Sequence, residues 1–74
     1  MKRKYTLRFD NSSEKWILRH DVSEKVLKIF DTKEAATRAG VLRKMLGREG
    51  GSVTVRTRTG VFEEERTFPS ITGR

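Results

Sequence analysis

One segment of this chain has the period of a helix, and the segments on either side of it have the period of strands. Between Asp31 and Leu46, a projection at 100° per residue puts Ala35, Ala39, Leu42 and Leu46 on one narrow stripe. Lys33, Thr37, Gly40 and Lys44 fall opposite. Asp31 or Thr32 can cap the start, Asp31 and Glu34 have the spacing of a capping box, and Gly47 is a natural left-handed stop. An amphipathic helix needs an apolar support, and two alanines let it lie close with room for large rings beneath. Gly40 projects to solvent in this scheme, so alanine there is expected to be neutral or mildly stabilising.

The support must come from the flanking segments. Tyr5-Thr6-Leu7-Arg8-Phe9 alternates apolar and polar, the period of a half-buried strand. Asp10 to Glu14 is turn chemistry, and Lys15 to His20 follows as a second strand with Trp16 and Leu18 as its core pair. After a turn at Asp21–Glu24, Lys25 to Phe30 makes a third strand whose buried face Val26, Leu27, Ile29 and Phe30 leave open. Beyond the helix, Arg48 to Ser52 reads as a flexible connection and Val53 to Thr57 as a fourth strand. Arg58-Thr59-Gly60 fits a hairpin loop, and Val61 to Phe68 returns as a last strand that Pro69 ends. The order predicts an α+β fold in two layers, an antiparallel sheet in β-β-β-α-β-β order with one helix on one face. Residues 1–74 form one domain, ordered over about 4–68, with 69–74 a frayed tail.

A chain of 74 residues supports only a thin core, and a pocket closed on all sides is hard to build in it. There is no cysteine, so neither a disulfide nor a thiolate metal site can staple it, which suits a reducing cytoplasm. No apolar run is long enough for a membrane span or a signal-peptide core. The net charge of +7 favours an acidic partner: nucleic acid, an acidic protein surface or anionic lipid. The same charge would also serve solubility alone.

The Trp-bearing strand Lys15-Trp16-Ile17-Leu18-Arg19, then Phe30-Asp31-Thr32-Lys33-Glu34-Ala35, then the Gly50-Gly51 turn and a hairpin ending in Gly60 before an acidic strand form a pattern. It resembles a family of small bacterial proteins known as domain of unknown function 2188, over roughly Tyr5 to Phe68. The hairpin loop commonly carries Arg-Asp-Gly in that family, where this chain has Arg58-Thr59-Gly60. The resemblance implies the fold and no particular activity. A shorter likeness, from Trp16 to about Met45, is to the arm-site DNA-binding domain of phage-type integrases, which ends at its helix while this chain continues into a hairpin.

Few residues suggest chemistry. His20 beside Asp21 could be a base with its orienting carboxylate, but no nucleophile accompanies them, and an exposed strand-end histidine is the simpler reading. Glu63, Glu64 and Glu65 alternate across a strand and cannot converge on one metal; they read as cross-strand partners of Arg56 and Arg58. Gly50-Gly51 lacks the lysine and serine of a phosphate loop. No enzyme, metal or cofactor is expected. By strand parity, Arg8, Arg19, Arg56 and Arg58 face away from the helix, with Lys28 joining them if Leu27 and Ile29 are buried. These five are the candidate contacts to nucleic acid or to an acidic protein, with Lys2-Arg3-Lys4 as a basic arm. The alternative is a merely solvated face, as uncovered antiparallel sheets commonly have. Aromatic stacking is not expected there, since the aromatics are assigned to the core. The helix lacks exposed large apolar residues beyond Val41, so no membrane partner is expected. A monomer or a dimer paired through an edge strand completes the expectation.

Overall fold

The computed structural model describes residues 3–69. Met1, Lys2 and the tail Ser70–Arg74, where the end of a basic arm and a frayed terminus were expected, lie outside the described residues. Alternation does make strands. β1 (Lys4–Asp10), β2 (Lys15–His20) and β3 (Val26–Phe30) form an antiparallel meander, and β4 (Gly51–Arg56) and β5 (Phe62–Phe68) form an antiparallel hairpin. The five strands make one sheet in the order β3-β2-β1-β4-β5.

That sheet is mixed, which corrects the expected antiparallel one: β1 and β4 are parallel neighbours. The reason lies in the count of strands before the helical segment. β2 runs antiparallel to both β1 and β3, so β1 and β3 point the same way. A helical crossover returns the chain in the direction of the strand it left, so β4 runs with β3 and fits beside β1 only in parallel.

The helical segment is also broken. α1 (Lys33–Thr37) and α2 (Val41–Leu46) are separate, with Arg38 extended between them and Gly40 at φ +86° as the residue that starts α2. In a single helix Ala36 and Leu42 would stand about 120° apart. The break re-phases them, and Ala36, Leu42 and Leu46 are all buried. Ala39, expected in the stripe, is exposed at the break, and Ala35 is half-buried. Gly40 is therefore a conformational requirement, since a left-handed φ is costly for any residue with a Cβ. The start is as the sequence suggests: Thr32 Oγ1 accepts from the Ala35 amide at 3.0 Å. Asp31 instead accepts from Lys15 Nζ at 2.6 Å, tying β2 to the end of β3.

Past Leu46 a 3-10 turn, Gly47–Glu49, leads to Gly50 and Gly51, which are buried and packed where a flexible connection was expected. Gly50 has φ +70°, and a Cβ there would collide with the Phe68 carbonyl oxygen. Gly51 has φ +141° and would set one 2.7 Å from the Arg3 carbonyl oxygen. Ser52 N donates to that same oxygen at 2.8 Å, and Arg3 pairs with Glu49, so Arg3 extends the β1–β4 pairing and is not part of a free arm.

The core lies between the helices and one sheet face. Tyr5, Leu7, Trp16, Leu18, Phe30, Val53 and Val55 point to it from the strands, with Ala36, Leu42 and Leu46 above. Phe9 packs its ring edge on Trp16, with centroids 5.4 Å apart. No helix among the described residues is long and apolar enough to cross a membrane.

Candidate nucleic-acid interface

Burying Leu7, Leu18, Val53 and Val55 on one face commits their neighbours to the other. Thr6 and Arg8 of β1, Ile17 and Arg19 of β2 and Thr54 and Arg56 of β4 follow by alternation. In register, Arg8 lies opposite Ile17, and Arg56 follows Val55 just beyond the Leu7–Val55 pair, so Arg8 and Arg56 stand side by side at the middle of the sheet. Both line a hollow of about 300 Å³ with Arg19, Thr6, His20, Asp21 and Glu24. Both also line a second hollow, of about 380 Å³, with Arg58, Phe9, Asn11, Thr59 and Gly60. The first has acidic residues at its rim; the second has none.

Four of the five candidate side chains thus converge. Arg8 and Arg56 are shared by both hollows, with Arg19 on one side and Arg58 on the other. Lys28 does not join them. Register sets it opposite Leu18, on the helix side at the sheet edge, while Ile29 pairs with Ile17 on the uncovered face. A bulge between Leu18 and Arg19 is responsible, because it puts both Val26 and Ile29 on that face.

The hairpin that carries Arg56 and Arg58 is well tied. Thr57 N donates to the Val61 carbonyl at 2.7 Å, Gly60 N to the Thr57 carbonyl at 2.9 Å, and Val61 N to Thr57 Oγ1 at 3.1 Å. Arg56 Nη1 donates to the Gly60 carbonyl at 3.1 Å, and Gly60 takes φ +93°, as a tight loop requires. The Arg58 guanidinium lies over the Phe9 ring at 4.5 Å, a cation–π contact that fixes it at the mouth of the second hollow. Arg19 Nε is shielded from water with no hydrogen-bond partner among the described residues.

The acidic residues are engaged elsewhere, which corrects their assignment as partners of Arg56 and Arg58. A second bulge, between Val55 and Arg56, sets Arg56 opposite Phe62 and leaves Glu63 unpaired in the ladder. Glu63 pairs with Lys33 of α1, and Glu64 accepts from Arg66 Nε at 3.0 Å. Of these three glutamates, only Glu65, opposite Thr54, remains on the uncovered face. Lys33 is consequently not a solvated outer residue; its ammonium also lies 5.9 Å from the Trp16 ring centre. Among the described residues, none of the ion pairs includes Arg8, Arg19, Arg56 or Arg58.

Other polar groups close off alternatives. His20 Nδ1 accepts from the Val22 and Ser23 amides at 3.2 and 3.1 Å, which puts the ring proton of the neutral imidazole on Nε2. Asp21 accepts from Thr6 Oγ1 at 2.7 Å, so His20 caps the turn, Asp21 ties to β1, and the two do not pair as base and orienter. That bond also engages the Thr6 hydroxyl. Asp10 is held below the usual carboxylate range, first by the Ser13 hydroxyl and amide that donate to it and then by the charges of Arg8 and Arg19.

Of the apolar part of this face, alternation placed Ile17 but not Val26, Ile29 or Phe62. Phe62 is 58% exposed beside Arg56, and Ile17, Val26 and Ile29 lie across the sheet. The only sequence signal was the position of Phe62 directly after the hairpin, before the run of glutamates.

Residues 5–68 match the family described as an uncharacterized protein conserved in bacteria (DUF2188). The chain belongs to that family. The DUF2188 match runs from within β1 to the end of β5, so it takes in both arginine-lined hollows. Comparison with curated proteins and with solved structures gave no match.

Proposed function

We propose that this DUF2188 chain is a small non-enzymatic module that binds nucleic acid on its uncovered sheet face. One observation carries the reading: three guanidiniums, of Arg8, Arg56 and Arg58, surround a hollow of about 380 Å³ whose lining includes no carboxylate. Arginine forks suit phosphate oxygens, and Asn11 and Thr59 add neutral polar groups at the same hollow. The net charge of +7 supplies long-range attraction. The reading includes a cytoplasmic location, which the lack of cysteine suits, and a monomer or a dimer paired through an edge strand.

The test is a titration with short DNA in low salt. Affinity should lie in the micromolar range and fall linearly with salt on a log–log plot, with a slope of about 0.7–0.9 per phosphate neutralised. Arg8→Glu with Arg56→Glu should abolish binding and leave the fold intact. Lys44→Glu with Arg48→Glu, exposed on α2 and the turn after it, should cost far less. Equal losses from the two pairs would reduce the effect to bulk charge, and no binding by the unaltered protein would overturn it.

A protein partner is the second reading. It is favoured by Val22, Val26 and Ile29, which are exposed in and beside edge strand β3. Partners retained from lysate after nuclease treatment would move the assignment there.

A further inference from the structure

The uncovered face is not uniformly basic. Along one line across the sheet, register places Ile29, Ile17, Arg8, Arg56 and Phe62 in succession, one from each strand. The cationic pair lies in the middle, with an exposed aromatic ring on one side and aliphatic side chains on the other. Strands lie about 4.8 Å apart, so Phe62 is separated from Ile17 by about 14 Å. A phosphate backbone alone has no use for Phe62 or Ile29, which are 58% and 54% exposed. Unpaired bases do, because each has an apolar face that can lie on a ring or an aliphatic side chain.

Resting on the nucleic-acid reading above, we propose that this face takes single strands in preference to duplex. A phosphate is held between Arg8 and Arg56 while a base stacks on Phe62. The architecture agrees. Both helices lie on the opposite side of the sheet, so none can enter a major groove from this face. β5 is an edge strand, so a bound chain can run off the sheet past Phe62. The bulge at Glu63 completes the arrangement: it directs that carboxylate to Lys33 and sets Phe62 directly opposite Arg56. Guanidinium and ring are then neighbours on one face, the pairing that sequence-tolerant single-strand sites use.

The experiment compares an oligothymidylate, an oligouridylate and a DNA duplex, each of about 12 nucleotides per strand, a length one small domain can engage. The unaltered protein should bind the single strands more tightly than the duplex at equal salt. Phe62→Ala should weaken single-strand binding about 5- to 150-fold, the range for losing one stacked base, with duplex binding changed less than about twofold. Phe62→Trp should preserve the preference, and fluorescence of the buried Trp16 in the alanine variant should report an intact core. Arg56→Glu should weaken binding to all three probes. If Phe62→Ala weakens all probes equally or none, while Arg56→Glu still abolishes binding, the single-strand assignment is overturned and the nucleic-acid reading stands. If the unaltered protein binds no probe in low salt, both fall. Oligothymidylate against oligouridylate decides which sugar the site prefers, and a large preference for duplex over both also overturns the assignment.

Discussion

The two faces of the sheet are made by the same strands and obey opposite rules. On the covered face, Leu7, Leu18, Val53 and Val55 are fully buried, and helices broken at Gly40 bring Ala36, Leu42 and Leu46 over them. Each side chain there is held by shape. On the uncovered face, Arg8, Arg19 and Arg56 stand close together outside any ion pair among the described residues, with Arg58 at the end of the sheet over the Phe9 ring and Ile17, Ile29 and Phe62 beside them. Nothing in the packing requires that pattern. The difference teaches that the covered face explains why the chain folds, while the other is free of that packing constraint and is where the proposed binding would lie. Stability and binding should accordingly separate when residues one position apart are altered.

Adjacent positions in β2 give the sharpest separation. Leu18→Ala should cost about 2–5 kcal/mol by emptying the centre of the core, enough to unfold a domain whose total stability is about 5 kcal/mol. Ile17→Ala, on the half-buried opposite side, should cost about 1 kcal/mol. Denaturant melts of the two variants would check this, and equal midpoints would erase the distinction between the faces.

Two glycines extend the comparison to the backbone. Gly50→Ala forces a Cβ against the Phe68 carbonyl in addition to its left-handed φ, so a loss of at least about 2 kcal/mol is expected. Gly40→Ala meets open space and bears the conformational strain alone, about 1–2 kcal/mol. A thermal melt in which Gly40→Ala equals or exceeds the unaltered protein would restore the continuous helix that its projection suggests.

The smallest effect is electrostatic. Ser13 holds Asp10, and Lys15 holds Asp31, below the ordinary carboxylate value, with Asp31 exposed and Asp10 half-buried. A depressed folded value means that their contribution is present above the unfolded pKa of about 4 and is lost as pH falls through the lower folded value. Asp10→Asn and Asp31→Asn should therefore each cost a little stability at neutrality and make the acid limb of the melting curve shallower, the difference from the unaltered protein vanishing as pH falls well below about 4. An unchanged acid limb would show that these bonds add nothing to folding.

Much of this was legible in sequence, and what was missed has common causes. Alternation located the five strands and named Trp16, Leu18, Val53 and Val55 as core, because one buried face imposes a period of two. Thr32 was visible as a cap for the same kind of reason, a local side chain satisfying a local amide. Parity then misplaced Lys28 and the role of Glu63, and at both places a bulge shifts the register between strands. A bulge adds one residue without changing composition, so alternation cannot detect it. Gly40 was read by its direction on a wheel, whereas its φ decides its role. The parallel pairing could have been deduced by following strand directions through three strands and a crossover. Phe62 departs from the default that aromatics belong to cores, a default that five of the chain's six follow by packing in or against this one, namely Tyr5, Phe9, Trp16, Phe30 and Phe68.

The parallel partnership of β1 and β4 imposes an order on the birth of the protein. β1 leaves the ribosome first and can zip to β2 at once, and β3 can add itself to that meander. The other margin of β1 then stays bare while the whole helical segment is made, for its neighbour begins only at Gly51. During that interval the nascent chain presents the backbone edge of Tyr5 and Leu7, a natural template for a foreign strand. Arg8, next along that edge, puts a positive charge beside it, and like charges on neighbouring nascent chains repel. The arginine at the centre of the proposed binding face would then also guard the chain in synthesis.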